Sequence, residues 1–544
     1  MGFITQPTDP KFGHLTLPVF RFTPKGEKPP VFAERLSNQL NLSTDIFRFE
    51  SVGPYINIFL DEKQMNRDIL VSACQAPKLP TKDAPLVMVE FVSPNTNKPL
   101  HLGHTRNMAL GESIARLLEH QGSRVLRVQI INDRGVHICK SMLAYQRFGK
   151  GETPQSEKMK GDYFVGKYYV LFKQKADADS KLEEEAQFML QRWEQNDPHV
   201  RELWEKMNAW WFEGVQESYR LFGIRFDKNY YESMIYDKGK NIALTAYESG
   251  KFIKLENGAI AAPLKSFGLP DKVVLRSDGT TMYVTQDIYL AQQRFRDYPE
   301  LGKIIYVVGS EQELHFQQLF AILQLLGVPQ ARQCYHLSYG LIEKPGGGKM
   351  SSRAGEAFNA DEAYQEIYAL AFDELTKRNP ELDETTRSNR ARVVALSAMK
   401  FFMTRQDAKK PIEYNPKESI SFDGQTGPYV LYTIARSYSL MRKAATKPED
   451  ALAHLLATEK EKELLYLLAK KGDIFADAVS HFSPHILAQY LLEIANAFNS
   501  YYHETHVIQE NKELEAARLA LVRAVQCVLE EGMYCLNIET LQEM

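Results

Sequence analysis

Lys98, His101, Gly103 and His104 stand close together in the sequence, just after the apolar stretch Leu86–Phe91. The stretch has the pattern of a buried strand, and a helical pattern follows the second histidine. Free N–H groups and the positive dipole end of a helix attract anions, and imidazole or ammonium groups can reach developing charge. A glycine there lets a nucleotide lie against the backbone. The arrangement predicts a phosphate-binding turn.

A second phosphate-binding element follows at Gly346–Arg353, which reads Gly-Gly-Gly-Lys-Met-Ser-Ser-Arg. Two histidines three residues apart could instead bind a metal or only cap a helix. Their place between strand and helix, the preceding Asn95 and Lys98, and the later loop favour phosphate. Together the two elements predict an ATP-using transferase.

The elements that must position these residues alternate between strand and helix. Leu86–Phe91, helix Thr105–His120 and strand Arg124–Ile131 form a βαβ unit, which requires parallel strands. Further strands are predicted at Lys272–Arg276, Thr281–Thr285 and Ile304–Val308, with a helix at Leu314–Leu326. We therefore expect an α/β fold with a Rossmann-like, doubly wound parallel sheet.

At 544 residues the chain is too long for one hydrophobic core. The proline-rich stretch Ala76–Pro85 reads as a linker, and the pattern after Asp361 is almost wholly helical. The predicted domains are an α+β domain at 1–82, a catalytic domain at 83–360 with a helical insertion at about 150–225, a helical junction at 361–410, and a helical domain at 411–544.

Composition narrows the class of protein. The net charge of −3 argues against a nucleic-acid coat protein or a polybasic membrane binder, although a local basic surface could still bind RNA. No signal segment or membrane span is apparent. The five cysteines are odd in number and scattered, which indicates reduced thiols rather than a disulfide frame or a zinc site. We expect a cytoplasmic protein.

Longer motifs carry a resemblance to a known family. His101–His104 and Lys349–Arg353 match the two signatures of class I aminoacyl-tRNA synthetases. The chain resembles the arginyl-tRNA synthetase family more closely, from about Phe12 to the C-terminus. That resemblance rests on Ser93–Asn107, Asn132–Gly135, Thr281–Asp287, Thr426–Tyr432 and the closing Met544.

The resemblance implies activation of L-arginine to arginyl-AMP and transfer of the arginyl group to the terminal adenosine of tRNA(Arg). It implies ATP with Mg²⁺, no protein-bound structural metal, no DNA or membrane partner, and a monomer. The helical domain would bind the anticodon and the N-terminal domain would contact tRNA. No editing domain is expected. Lysine or citrulline would leave buried acceptors of the pocket unpaired, and this cost can reject both compounds.

The same resemblance assigns the catalytic residues, which are His101, His104, Lys98, Lys349, Ser351, Ser352 and Arg353. ATP would contact Leu102, Gly103, His104, Lys349 and Met350. The general class I loop has a second lysine where this chain has Ser352. In the arginyl family a lysine before the first motif is thought to replace it, and here that residue is Lys98.

A guanidinium is planar, permanently charged and has five donors, so its pocket needs carboxylates and other acceptors in a fork. By resemblance Asp287, Tyr283 and Glu232 hold the guanidinium. Glu90, Asn95, His101 and Gln312 surround the backbone end of arginine. Any one of these could instead be an ordinary cap or surface residue.

For tRNA, the resemblance places Tyr432 and Arg436 at the anticodon loop, with Tyr55 and Asn57 at the D-loop. Helix packing is the alternative for Tyr432, and burial in a strand core is the alternative for Tyr55. Two other functions stay open. One is a different nucleotide-transferring enzyme that shares the histidine motif, and the other is an RNA-binding protein with a decayed synthetase site.

Overall fold

The computed structural model of the protein describes residues 4–5, 7, 9–42, 47–343, 358–421 and 424–544. Its first part is a small antiparallel sheet covered by a helix. The elements are β1 (Leu15–Pro18), α1 (Pro29–Asn41), β2 (Phe47–Val52) and β3 (Tyr55–Leu60), followed by α2 (Glu62–Ala73). The strands lie in the order β1-β3-β2, and Val19, Ala33 and Ile56 form the buried core beneath α1.

The next part contains both strands and helices, with four helices in succession after its second strand. It contains β4 (Leu86–Glu90), α3 (Leu102–His120), β5 (Arg124–Ile131), α4 (Val136–Phe148), α5 (Gly161–Ala176), α6 (Lys181–Glu194), α7 (Pro198–Phe222), β6 (Lys228–Tyr231), α8 (Glu232–Ile235), α9 (Gly239–Glu248), β7 (Ile253–Lys254), β8 (Ile260–Ala262), β9 (Lys272–Leu275), α10 (Tyr283–Asp297), β10 (Leu301–Gly309), α11 (Glu313–Leu325), β11 (Cys334–Tyr339) and β12 (Ile342–Glu343).

Five of these strands form a parallel sheet in the order β11-β10-β4-β5-β6. The chain enters at the centre, winds outward to β6, and returns on the other side through β10 and β11. Every residue of β4 is buried, with Val87 and Val89 in one core and Leu86 and Met88 in the other. The doubly wound α/β prediction is confirmed. The strand order reverses between β4 and β10, where sheets of this kind bind ligands.

The predicted strand at Thr281–Thr285 is wrong, because α10 begins within it at Tyr283. The Thr285 hydroxyl accepts a hydrogen bond from the Met282 N–H at 3.2 Å, and the Thr285 N–H donates to the Met282 carbonyl at 2.9 Å. β-branched residues gave this segment a strand-like pattern. The hydrogen bonds that start a helix outweigh that local preference.

The remainder of the described chain is mostly helical. It contains α12 (Ala360–Arg378), α13 (Glu384–Thr404), β13 (Ile412–Glu413), α14 (Pro416–Ser419), α15 (Gly427–Lys443), α16 (Glu459–Ala469), α17 (Lys471–Ser480), α18 (Pro484–Glu504) and α19 (Lys512–Cys535). Short 3-10 helices lie at Pro10–Phe12, Lys265–Phe267, Ser310–Gln312, Pro329–Gln333 and Asp450–Leu455. Within the ranges given above, no helix has the length and apolar character needed to cross a bilayer.

One buried arginine joins the sheet to the helical part. Arg106, in α3, donates to the carbonyls of Gly340 at 2.6 Å, Ala408 at 2.9 Å and Lys410 at 2.8 Å. A Cβ at Gly340 would lie 2.7 Å from the carbonyl carbon of Lys410, so the two segments approach closely only with glycine there. The segment Asp407–Lys410 therefore packs against α3.

The expectation of five reduced thiols is wrong for one pair. Cys74, just after α2, is bonded to Cys527 in α19, with their Cα atoms 5.2 Å apart. The residues are 453 positions apart, so their spacing in the sequence gave no sign of contact. Next to the bond, Lys471 contacts Glu531 at 2.5 Å and donates to the Ala73 carbonyl at 3.0 Å. The bond fastens the end of α2 to the helical part.

We predict that Cys74→Ser lowers the apparent Tm by several degrees, because a disulfide typically contributes about 2–4 kcal/mol. Thermal unfolding with and without dithiothreitol measures this. The reductant should lower the wild-type Tm to that of the variant and leave the variant unchanged. A wild-type Tm that does not respond to the reductant would contradict the prediction.

Candidate active site

The histidine motif lies at the switch point of the sheet. His101 directly precedes α3, and the chain reaches it from the carboxyl end of β4. The His101 N–H donates to His104 Nδ1 at 3.0 Å, and the two ring centroids are 3.8 Å apart. A Cβ at Gly103 would lie 2.9 Å from His101 Cε1, so glycine leaves room for the His101 ring over the turn.

The turn between β4 and α3 is held in an unusual backbone conformation. Val92 and Ser93 have φ values of 70° and 44°, which are uncommon for residues other than glycine. Asn107 stabilises this turn because its Oδ1 accepts from the Val92 N–H at 2.6 Å while its Nδ2 donates to the Val307 carbonyl at 2.8 Å. One side chain thus connects β4 to β10 where the strand order reverses.

Both histidines are neutral at neutral pH. Burial, assisted by the Lys98 ammonium, lowers the pKa of His101 to about 4. Burial, with His101 and Lys98 nearby, lowers the pKa of His104 well below its ordinary value. Trp211 of α7 donates to the Lys98 carbonyl at 2.8 Å, so the helices inserted between β5 and β6 fix this lysine. The site therefore combines neutral imidazoles with the nearby Lys98 ammonium.

The second motif lies outside the described residues, and with it Lys349, Met350, Ser351, Ser352 and Arg353. The chain on either side of residues 344–357 is described. Before them, β12 pairs with β13. After them, the Phe358 carbonyl accepts from the Leu102 N–H at 2.8 Å and the Ala360 N–H donates to the Leu100 carbonyl at 2.9 Å. The chain thus returns from the second motif directly beside the first.

Carboxylates from several elements gather near the carboxyl ends of β5 and β6. Glu232 is the first residue of α8, is 8% exposed, and has its pKa raised to about 7 by burial. Arg134 opposes this rise in pKa, while Asp133 and Asp287 add to it. The Asp133 carboxylate accepts from Ser233 N at 2.8 Å and Ser233 Oγ at 2.7 Å. Glu232 and Asp287 are therefore the carboxylates suited to a guanidinium ligand.

Asp287 has a partner that the sequence did not predict. His315 Nε2, in the first turn of α11, lies 2.7 Å from Asp287 Oδ2. Tyr283, four residues before Asp287, is 76% exposed and opens α10. The only sequence signal for His315 is its place three residues after Gln312, at the carboxyl end of a strand.

The residues predicted for the backbone end of arginine differ in their surroundings. Glu90 is buried and paired with Arg294, whose guanidinium centre lies 4.8 Å and 5.6 Å from the ring centroids of Tyr230 and Tyr306. The negative charge of Glu90 is thus already compensated within the protein. Asn95 and Gln312 are exposed. Asn95 pairs through its backbone with Asn132, and Gln312 ends the 3-10 helix that precedes α11.

The residues predicted for tRNA contact also differ in their exposure and in their contacts. Tyr55 is 42% exposed and meets Phe20 edge to face, but Asn57 is buried and accepts from the Thr16 hydroxyl at 2.9 Å. Arg436 pairs with Asn499. Its guanidinium centre also lies 4.7 Å from the ring of Tyr432 and 4.5 Å from that of Tyr502.

Comparison with known proteins decides the family. The sequence model described as tRNA synthetases class I (R), catalytic domain, matches residues 66–411. The DALR anticodon binding domain matches 430–544, and the Arginyl tRNA synthetase N terminal domain matches 2–60. The chain belongs to the arginyl-tRNA synthetase family. This assignment excludes a different nucleotide-transferring enzyme that shares only the histidine motif.

Individual relatives support the same family assignment along the whole chain. An arginine–tRNA ligase of Bacteroides fragilis is 40% identical, covering 99% of this chain and 95% of the relative. One from Treponema denticola is also 40% identical, covering 99% and 94%. The solved arginyl-tRNA synthetase of Thermus thermophilus has a TM-score of 0.79 at 26% identity, covering 99% and 96%. The function is that of an arginine–tRNA ligase, with arginine, ATP and tRNA as substrates.

Because the folded state keeps the pKa of Glu232 near 7 instead of its ordinary 4.5, ionising this group costs stability. The cost is absent at low pH, grows as pH rises from about 4.5 through 7, and is then constant, on the order of 3 kcal/mol. We predict that Glu232→Gln raises the Tm at pH 8, with a smaller difference at pH 5.

Differential scanning fluorimetry at the two pH values measures this effect. Glu248→Gln, at the exposed end of α9, is the matched control and should change neither Tm. An equal Tm difference for Glu232→Gln at both pH values would show that the carboxylate is not held in its protonated form.

Proposed function

We propose that the described site activates arginine in the following way. The α-phosphate of ATP lies against His101, Gly103 and His104 at the start of α3, and the guanidinium of arginine lies between Glu232 and Asp287. The observation that carries this proposal is the placement of the histidine pair at the switch point, with Glu232 directly after β6 and Asp287 of α10 near enough to raise the pKa of Glu232.

In this arrangement the arginine carboxylate attacks the α-phosphorus and pyrophosphate leaves. The neutral imidazoles donate N–H groups to oxygens on which negative charge develops, and Lys98 supplies a positive charge before the same turn. Donors matter more than acid–base groups here, because positioning and charge stabilisation dominate phosphoryl chemistry. A ribose hydroxyl of tRNA then takes the arginyl group from AMP.

Several parts of the proposal rest on the sequence motifs. Lys349, Ser351, Ser352 and Arg353 would bind the pyrophosphate, Leu102 and Met350 would contact ATP, and Mg²⁺ would arrive bound to the ATP phosphates. Asn95 and Gln312 are proposed for the backbone end of arginine. Glu90 would act there through its pair with Arg294. The domain boundaries, a monomeric state and a cytoplasmic location also stay predictions.

For tRNA, we propose that Tyr432 and Arg436 bind single-stranded bases of the anticodon loop. An exposed ring beside a guanidinium is a typical stacking platform for RNA. Tyr55 is proposed as a second stacking residue. The buried Asn57 side chain supports the fold of the N-terminal sheet, so its predicted contact with RNA is not retained in the proposal.

Charging of labelled arginine onto tRNA(Arg) is the direct test of the proposed site. Asp287→Asn keeps the shape of the side chain but removes its charge, so we expect kcat/KM for arginine to fall about 100-fold. Asp297→Asn, at the exposed end of the same helix, should charge arginine normally. A folded wild-type protein that binds tRNA but transfers no arginine would support the decayed-site alternative instead.

For the RNA contact, we predict that Tyr432→Ala raises the KM for tRNA about 10-fold and leaves the KM for arginine unchanged. Stacking of a base on an aromatic ring contributes about 1–3 kcal/mol, and Tyr432→Phe retains it. Steady-state charging with varied tRNA separates these outcomes. A lower Tm in the alanine variant with an unchanged KM for tRNA would assign Tyr432 to helix packing alone.

A further inference from the structure

His315 is held against Asp287 by the two helices that carry them. It lies in the first turn of α11, which follows β10 through the 3-10 helix Ser310–Gln312. Its side chain is 18% exposed, and its Nε2 lies 2.7 Å from Asp287 Oδ2. The next residue, Phe316, is buried and stacks on His336 with ring centroids 4.5 Å apart. The start of α11 is thus packed firmly, and His315 has a fixed position.

The contact constrains the orientation of the Asp287 carboxylate. An aspartate on a helix surface can rotate about its terminal torsion, which is broad and nearly two-fold. The contact with His315 occupies one oxygen and fixes the plane of the group. Within the described residues, Asp287 Oδ1 has no hydrogen-bond donor, and the side chain is one-third exposed. Asp287 Oδ1 is therefore a hydrogen-bond acceptor of fixed direction that a ligand can reach.

A carboxylate of fixed direction distinguishes between cations. A guanidinium is planar and its N–H groups form a rigid fork, so it gains most from acceptors that are already oriented. An ammonium is a compact charge with rotatable donors, and it binds a mobile carboxylate nearly as well as a fixed one. Orientation of Asp287 should therefore strengthen arginine binding more than lysine binding.

We propose that His315 is a positioning residue for amino-acid selection, which holds Asp287 in the orientation that a guanidinium requires. The inference rests on the proposed function and adds to it a residue that no sequence motif assigned. His315 acts through Asp287 and need not touch arginine itself.

The test compares His315→Leu with His315→Gln in tRNA charging, with varied arginine and varied ATP. Losing a hydrogen bond to a charged group should raise the KM for arginine about 10- to 100-fold, with the KM for ATP unchanged within about twofold. The glutamine Nε2 can replace the imidazole donor, so this variant should recover most of the loss. The inhibition constant of lysine should change little in either variant.

Two controls separate positioning from general damage. Glu313→Gln, exposed in the same turn of α11, should leave both KM values within about twofold. In an Asp287→Asn background, His315→Leu should have almost no further effect on arginine, because two residues that act through one contact are not additive.

The outcomes are distinct. A wild-type protein that charges arginine, with an unchanged KM for arginine in His315→Leu, would overturn the inference and leave the proposed function intact. Equal rises in both KM values that glutamine does not rescue would assign His315 to packing and also overturn it. If the wild-type protein charges no arginine, the proposed function fails and the inference fails with it.

Discussion

The buried guanidinium of Arg106 is the interaction on which the arrangement of this chain depends. It is fully buried, burial lowers its pKa to about 10, and backbone carbonyls of Gly340, Ala408 and Lys410 accept its hydrogen bonds. A charge in this position is tolerated only while those carbonyls stay in place. The helix of the histidine motif, the chain that leads into the second motif and the segment between α13 and β13 are thereby held together at one point.

Buried charges elsewhere show how the site differs from the core. Arg127 forms ion pairs with Glu112 at 2.8 Å and Glu119 at 2.6 Å, and Arg294 forms an ion pair with Glu90. At Glu232, burial raises the pKa despite the nearby Arg134, and the Asp133 and Asp287 carboxylates add to the rise. A buried carboxylate without a full set of ion pairs costs stability in the free protein. Under the proposed function, the guanidinium of arginine compensates the charge of Glu232.

The βαβ unit from Leu86 to Ile131 could be predicted because its two apolar runs, the helical pattern between them and Gly103 in the turn all favour the same local structure. The start of α10 could not, because Thr285 acts through hydrogen bonds to a neighbour and not through its strand propensity. His315 and the Cys74–Cys527 bond were missed for another reason. Both depend on contacts between distant helices, and without the fold a single sequence carries no signal of such contacts.

The bond between Cys74 and Cys527 also changes the covalent topology of the molecule. The two cysteines lie 453 positions apart, and the chain between them becomes a closed ring that contains the whole parallel sheet and most of the helical part. Only the segments before Cys74 and after Cys527 lie outside this ring. A protease that cuts one peptide bond within the ring opens it but releases no fragment, so the parallel sheet and the helical part stay on one covalent molecule until the disulfide is reduced.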